Sequence, residues 1–150
     1  VIRAGTDDEI LAICDVIGYA PSQDATAVIL EKDDGTPGAA AIYDHWTHSG
    51  VQMHAWSDGP QYVFNPEFVR EMFAYIFEQI EPPKMLAIAV TPCDNSPSLA
   101  LAKFLGFTEI CRIRDGWKPG TDMVIQELRR ENCRFLEISD NVDSAPAKLN

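Results

Sequence analysis

The stretch from Met85 to Phe107, MLAIAVTPCDNSPSLALAKFLGF, limits what this chain can fold into more than any other. Met85 to Thr91 is an almost unbroken apolar run, which suits a strand covered on both faces. A polar turn through Asn95 follows, and Ser96 with Pro97 predicts the N-cap and first residue of a short helix. Gly106 ends that helix, because glycine takes the left-handed conformation without a steric penalty, and leaves Phe107 to pack back on the last turn. A buried strand feeding directly into a helix belongs to a sheet with helices on its faces.

The segments before it agree with that architecture. Val1 to Ala4 predicts a first strand, and Thr6 caps a helix whose Ile10, Leu11, Ile13, Cys14 and Ile17 fall at helical spacing as far as Gly18. Ala27 to Glu31, a turn at Asp33-Asp34-Gly35, Gly38 to Tyr43, a turn at Thr47 to Gly50, and Val51 to Trp56 read as an antiparallel meander. Asn65 and Pro66 then open a helix with one apolar stripe, Phe68, Val69, Met72, Phe73, Ile76, Phe77 and Ile80, closed by Pro82 and Pro83. After the opening stretch come strands at Thr108 to Arg114 and Met123 to Leu128, joined by a loop from Gly116 to Gly120. We expect one domain over residues 1–136, helical in part as far as Leu136, and a polar tail over 137–150 that is disordered.

The totals narrow the function. A formal net charge of -11 repels phosphate backbones, so nucleic-acid binding is disfavoured and cationic partners such as amines are favoured. No apolar run approaches the roughly 20 residues that cross a bilayer, which predicts a soluble, cytoplasmic protein without membrane contact. Cys14, Cys93, Cys111 and Cys133 are scattered without metal-ligand spacing and read as reduced thiols, with no metal implied.

Strand, Asn turn, short helix and closing Leu-Gly-Phe, in that order, resemble the second half of the acetyl-CoA site of the GNAT superfamily of N-acetyltransferases. The order of elements from Val1 to about Leu128 resembles the same family. The resemblance implies a mixed α/β fold with a central, mostly antiparallel sheet, a splayed parallel strand pair and helices on both faces. It implies an acyl-CoA-dependent N-acyltransferase, with acetyl-CoA as cosubstrate and direct attack by an amine, either a cationic small molecule or a protein amine. The cofactor arm would lie between the fourth and fifth strands, placing Ala55, Trp56, Ser57 and Asn95 beside it together with His54. The pyrophosphate would rest near Gln61 and Asn65, at the start of the following helix. Edge strands in this fold often pair between subunits, so a homodimer using Trp117 is a further expectation. The tail from Arg129 to Leu136, after Gly116-Trp117-Lys118-Pro119-Gly120, also resembles a divergent bacteriophage-encoded subgroup.

Two departures from the family pattern stand out. Glycines are missing from Gly59-Pro60-Gln61-Tyr62-Val63-Phe64-Asn65-Pro66, where the family has a glycine-rich turn, and seven residues after Asn95 the expected Tyr is replaced by Ala102. Tyr62 is the substitute donor the sequence offers. For a general base the candidates are Asp44, His45, His48 and His54, with His54 and Asp44 the assigned catalytic residues and His45 and His48 read as hairpin surface. Deprotonation through water is the alternative, and Asn95 serves equally as a helix cap. A binding or structural protein that keeps the fold without catalysis, such as a phage accessory or virion component, is the competing reading.

Overall fold

In a computed structural model, which describes residues 1–136, the first helix begins with a reciprocal exchange. The Glu9 N–H donates to Thr6 Oγ1 at 3.2 Å, and the Thr6 N–H donates to Glu9 Oε1 at 3.0 Å. This capping box satisfies two otherwise unpaired amides and opens α1 (Asp7–Ile17). Gly18, at φ 81°, closes it by donating to Cys14 and Asp15 carbonyls.

Strands β1 (Ile2–Ala4), β2 (Thr26–Glu31), β3 (Pro37–Asp44) and β4 (Gly50–Ser57) pair antiparallel in succession. The chain then crosses over through a one-turn helix α2 (Pro60–Val63), α3 (Pro66–Ala74) and a π-helical turn (Tyr75–Gln79). That crossover is what allows β5 (Leu86–Pro92) to pair parallel with β4. Helix α4 (Ser96–Leu105), β6 (Thr108–Lys118) and β7 (Thr121–Arg129) complete a seven-stranded sheet of order β1-β2-β3-β4-β5-β7-β6. The mixed sheet with one parallel pair is the architecture expected from the sequence.

Several boundaries differ for local reasons. The N-cap of α4 is Asn95, whose Oδ1 accepts from the Ser98 N–H at 3.2 Å, so Ser96 becomes the first helical residue. The stripe from Phe68 does not stay α-helical to Ile80. The Ile76 carbonyl is taken at 2.8 Å by the Lys84 N–H from outside the helix, and the backbone widens into the π turn. Strand β6 continues past Arg114 to Lys118 through a register break, where the Asp115 N–H donates to Asp122 Oδ1 and Asp115 Oδ1 accepts from Gly120 N–H. Residues 130–132 form a 3₁₀ turn, and Arg134 to Leu136 are helical; the tail expected to be disordered lies outside the described residues.

Alternate residues of β2 and β3 feed two cores on opposite faces of the sheet. Val28, Leu30, Ala39, Ala41 and Tyr43 join α3, α4, Phe107 and Leu128 on one face. Ala27, Ile29, Ala40 and Ile42 join Ile10, Ile13 and Cys14 of α1 on the other. Phe73 is the hub of the larger core, with ring centroids 6.2 Å from Phe77, 6.4 Å from Phe107 and 5.7 Å from Phe135. A Phe73→Ala substitution is therefore expected to cost about 3–5 kcal/mol of unfolding free energy in urea titration.

The two carboxylate partners of the Arg3 guanidinium fix a second expectation. It donates to Glu31 at 2.6 Å and to both oxygens of Glu9 at 2.8 and 2.7 Å. Those hydrogen bonds, with the Thr6 amide, lower the Glu9 carboxyl from its ordinary 4.5 to about 2. Because the folded value is the lower one, the stabilisation is complete above pH 4.5 and is lost as pH falls through about 2. Arg3→Met should thus be less stable than the parent at pH 7, and the gap should narrow towards pH 2 in denaturant titrations. An unchanged gap would remove Glu9 as its source.

Candidate active site

The parallel ladder between β4 and β5 is short. Gly50, Val51 and Gln52 pair with Leu86, Ala87 and Ile88, and then the strands part. Beyond Gln52, β4 keeps its partners on β3 only, and beyond Ile88, β5 keeps its partners on β7 only, among the described residues. A cleft of about 790 Å³, including its open mouths, occupies this gap. Its walls come from both cores. Met53, Met72, Ala102, Leu105 and Phe107 belong to the α3/α4 face, and Ile17 and Tyr19 pack on the α1 face, so the cleft passes through the sheet.

His54 lines the cleft beside Tyr19. Strand register puts His54 opposite Ile42 of β3, and Asp44 follows two residues later on the same face. His54 Nε2 lies 3.1 Å from Asp44 Oδ1, and the Tyr19 hydroxyl and the Ser22 N–H both donate to Asp44 Oδ2, the latter at 3.1 Å. His45, the half-exposed residue that follows, brings Nδ1 within 3.2 Å of the same oxygen. The Tyr19 and His54 rings lie face to face at 4.0 Å with a 33° tilt.

Burial alone would raise the pKa of Asp44, which is fully enclosed. The hydrogen bonds from His54, Tyr19 and Ser22 outweigh it and hold the carboxyl well below its ordinary range. The carboxylate is thus an acceptor only, so His54 presents Nε2–H to it and Nδ1 is the ring nitrogen that Asp44 leaves free. Burial and the neighbouring Asp44 push the Tyr19 phenol above its usual range, which keeps it a donor. The arrangement can take up one proton at His54 and stabilise the resulting imidazolium against a fixed carboxylate.

Tyr19 was not among the residues singled out from the sequence. Its signal is the Gly18 stop: the residue after such a glycine has its N–H fixed on the last helical turn, here to the Cys14 carbonyl at 2.9 Å. Of the residues that were, His54, Ala55 and Asn95 line the cleft, with Asn95 also capping α4. Trp56 packs on the α1-side core, Ser57 pairs with Ala39 at the end of β4, and Gln61 sits exposed on α2. Asn65 caps α3, its Oδ1 accepting from the Phe68 N–H at 3.0 Å. Tyr62 packs on the larger core under the Lys32 ammonium, away from the cleft lining. Ala102, at the position of the expected Tyr, forms part of the wall.

The segment from Gly59 to Asn65 is wound into the one-turn helix α2 and engages three of its amides internally. Tyr62, Phe64 and Asn65 N–H groups donate to the carbonyls of Gly59, Pro60 and Tyr62, and Pro60 and Pro66 have none to offer. The cleft therefore fits a narrow, largely apolar arm. Among the described residues no group of three or more His, Cys, Asp or Glu is placed to hold a metal ion. No helix there is long and apolar enough to cross a membrane.

No family model and no curated protein sequence matches the chain. Solved structures do match it. The spermidine/spermine N-acetyltransferase SpeG from Vibrio cholerae superposes with a TM-score of 0.69 at 11% identity, over 93% of this chain and 98% of that one. A candidate acetyltransferase from Acinetobacter baylyi gives 0.65 at 13% identity, over 88% and 94%. The protein yncA from Salmonella typhimurium, solved with its cofactor acetyl-CoA, gives 0.59 at 15% identity, over 86% and 92%. The chain has the fold of the GNAT N-acetyltransferases.

Tyr19→Phe tests the cluster. Removing one donor to a buried carboxylate should destabilise the protein by about 1.5–3 kcal/mol at pH 7. Asp44 is depressed in the fold, so this difference is present above the ordinary carboxylate range and lost as pH falls below it. Urea titrations of both proteins from pH 7 downwards should converge; a pH-independent difference would place the loss elsewhere.

Proposed function

We propose that the protein is an acyl-CoA-dependent N-acyltransferase, with acetyl-CoA as its cosubstrate. The observation that carries this reading is the through-sheet cleft at the β4/β5 splay with His54 in its wall, hydrogen-bonded to a buried Asp44. Bound there, acetyl-CoA would supply an activated acyl group. Ala55 and the unpaired edge of β4 hold the arm by backbone hydrogen bonds, as an added strand would be held. Asn95, Ser98, Leu101 and Leu105 of the α4 side enclose it. His54 takes the proton from the attacking amine, and Asp44 and Tyr19 fix the ring and its tautomer. With no phenol at Ala102, the departing thiolate receives its proton from water.

Gln61 and Asn65, at the turn before α3, are the residues proposed for the nucleotide end. SpeG acts on spermidine and spermine by its name, and a cationic amine is one candidate acceptor here, as is a protein amine. A second reading, a non-catalytic binding protein of this fold such as a phage accessory, draws support from the missing glycine-rich turn before α3 and from Ala102 at the position of the expected Tyr.

Calorimetry with acetyl-CoA separates the two: no binding at millimolar cosubstrate would sink the first. His54→Gln is expected to lower kcat by about 10²–10⁴-fold in a thiol-release assay. Equal turnover by the variant would remove His54 as the base.

A further inference from the structure

The chemistry of the cleft wall narrows the acceptor, an inference that rests on the acyl-transfer reading above. Among the described residues, the lining contains no Asp, Glu, Lys or Arg; Tyr19 and His54 are its only ionisable side chains. Asp44 stands behind them with no exposed surface. On the face that carries His54, the β5 side chains that line the gap are Val90 and Pro92, because Ala87 and Ala89 turn to the larger core. Ile17 and the Tyr19 ring complete that wall, and Trp117 of the β6–β7 hairpin adds an indole to the lining.

We propose that the acceptor is a primary amine borne on an apolar or aromatic body, entering on the His54 face, and not a polyamine. A monoamine has one charge, at the nitrogen that must lose its proton to His54 in any case, and the rest of the molecule gains by leaving water. A polyamine brings additional ammonium groups into a wall without a carboxylate to meet them, and each is desolvated without repayment. The overall acidity of the chain does not compensate for this, since none of its carboxylates reaches the lining.

The test is thiol release from acetyl-CoA with 2-phenylethylamine, tryptamine and hexylamine against putrescine and spermidine. We expect kcat/KM for the first group to exceed that for the second by roughly 10-fold or more. Ile17→Asp, which sets a carboxylate in the wall at the end of α1, should shrink that ratio. Equal or better use of polyamines by the parent protein overturns the acceptor class and leaves acyl transfer standing. Turnover of neither group also overturns it, and calorimetry with acetyl-CoA then shows whether the acyl-transfer reading falls with it.

Discussion

The parallel pairing of β4 with β5 lasts only three residues on each strand, and the remainder of the molecule is organised around its failure to continue. Two strands that part leave backbone polar groups on facing edges, and such groups are costly when buried without partners. Opening the gap to solvent or to a bound arm removes that cost, so the cleft follows from the end of the ladder. The helices on each face keep the gap from closing. Met72 of α3 and Ala102 and Leu105 of α4 fill it from one side, and the end of α1 fills it from the other. Asn95 is part of the same device: its cap directs α4 away from the end of β5 and leaves its own side chain in the wall.

Asp44 is the second constraint. A fully buried carboxylate is tolerated only when its oxygens are saturated, and here the donors come from two separate parts of the chain: Tyr19 and Ser22 after α1, and His54 on β4. The charge therefore ties the loop after α1 to the middle of the sheet and holds Tyr19 against the His54 ring. Orientation of the imidazole and closure of the cleft are one structural event.

The legible parts of the sequence were those governed by neighbouring residues. Thr6 with Glu9, Gly18, Asn65 with Pro66, and the run from Met85 to Phe107 each specify an element locally, and the meander follows from alternation and turn residues. What was hidden depended on distance along the chain. Tyr19 and Asp44 are separated by 24 intervening residues, and nothing in either neighbourhood announces their contact. The π turn at Tyr75 was hidden too: the Ile76 carbonyl there accepts from the Lys84 amide, which lies beyond two prolines. At Gly59 to Asn65 the missing glycines were visible, but not their replacement by a hydrogen-bonded turn. That outcome needs the prolines at 60 and 66, which remove amides and pre-set the backbone for helix starts.

Surface charge and cleft chemistry also separate once side chains are placed. The net charge of -11 creates a long-range field that draws any ammonium towards the protein, and such steering weakens with salt and distinguishes little among amines. The cleft acts at contact distance, where the field of remote carboxylates is screened and desolvation dominates. A polyamine and a hydrophobic monoamine are thus both attracted, but only the second leaves its remaining surface in an environment that resembles it. An acidic exterior is accordingly weak evidence about the acceptor, whereas the wall formed by Ile17, Tyr19 and Val90 bears on it directly, because those side chains line the cleft beside His54.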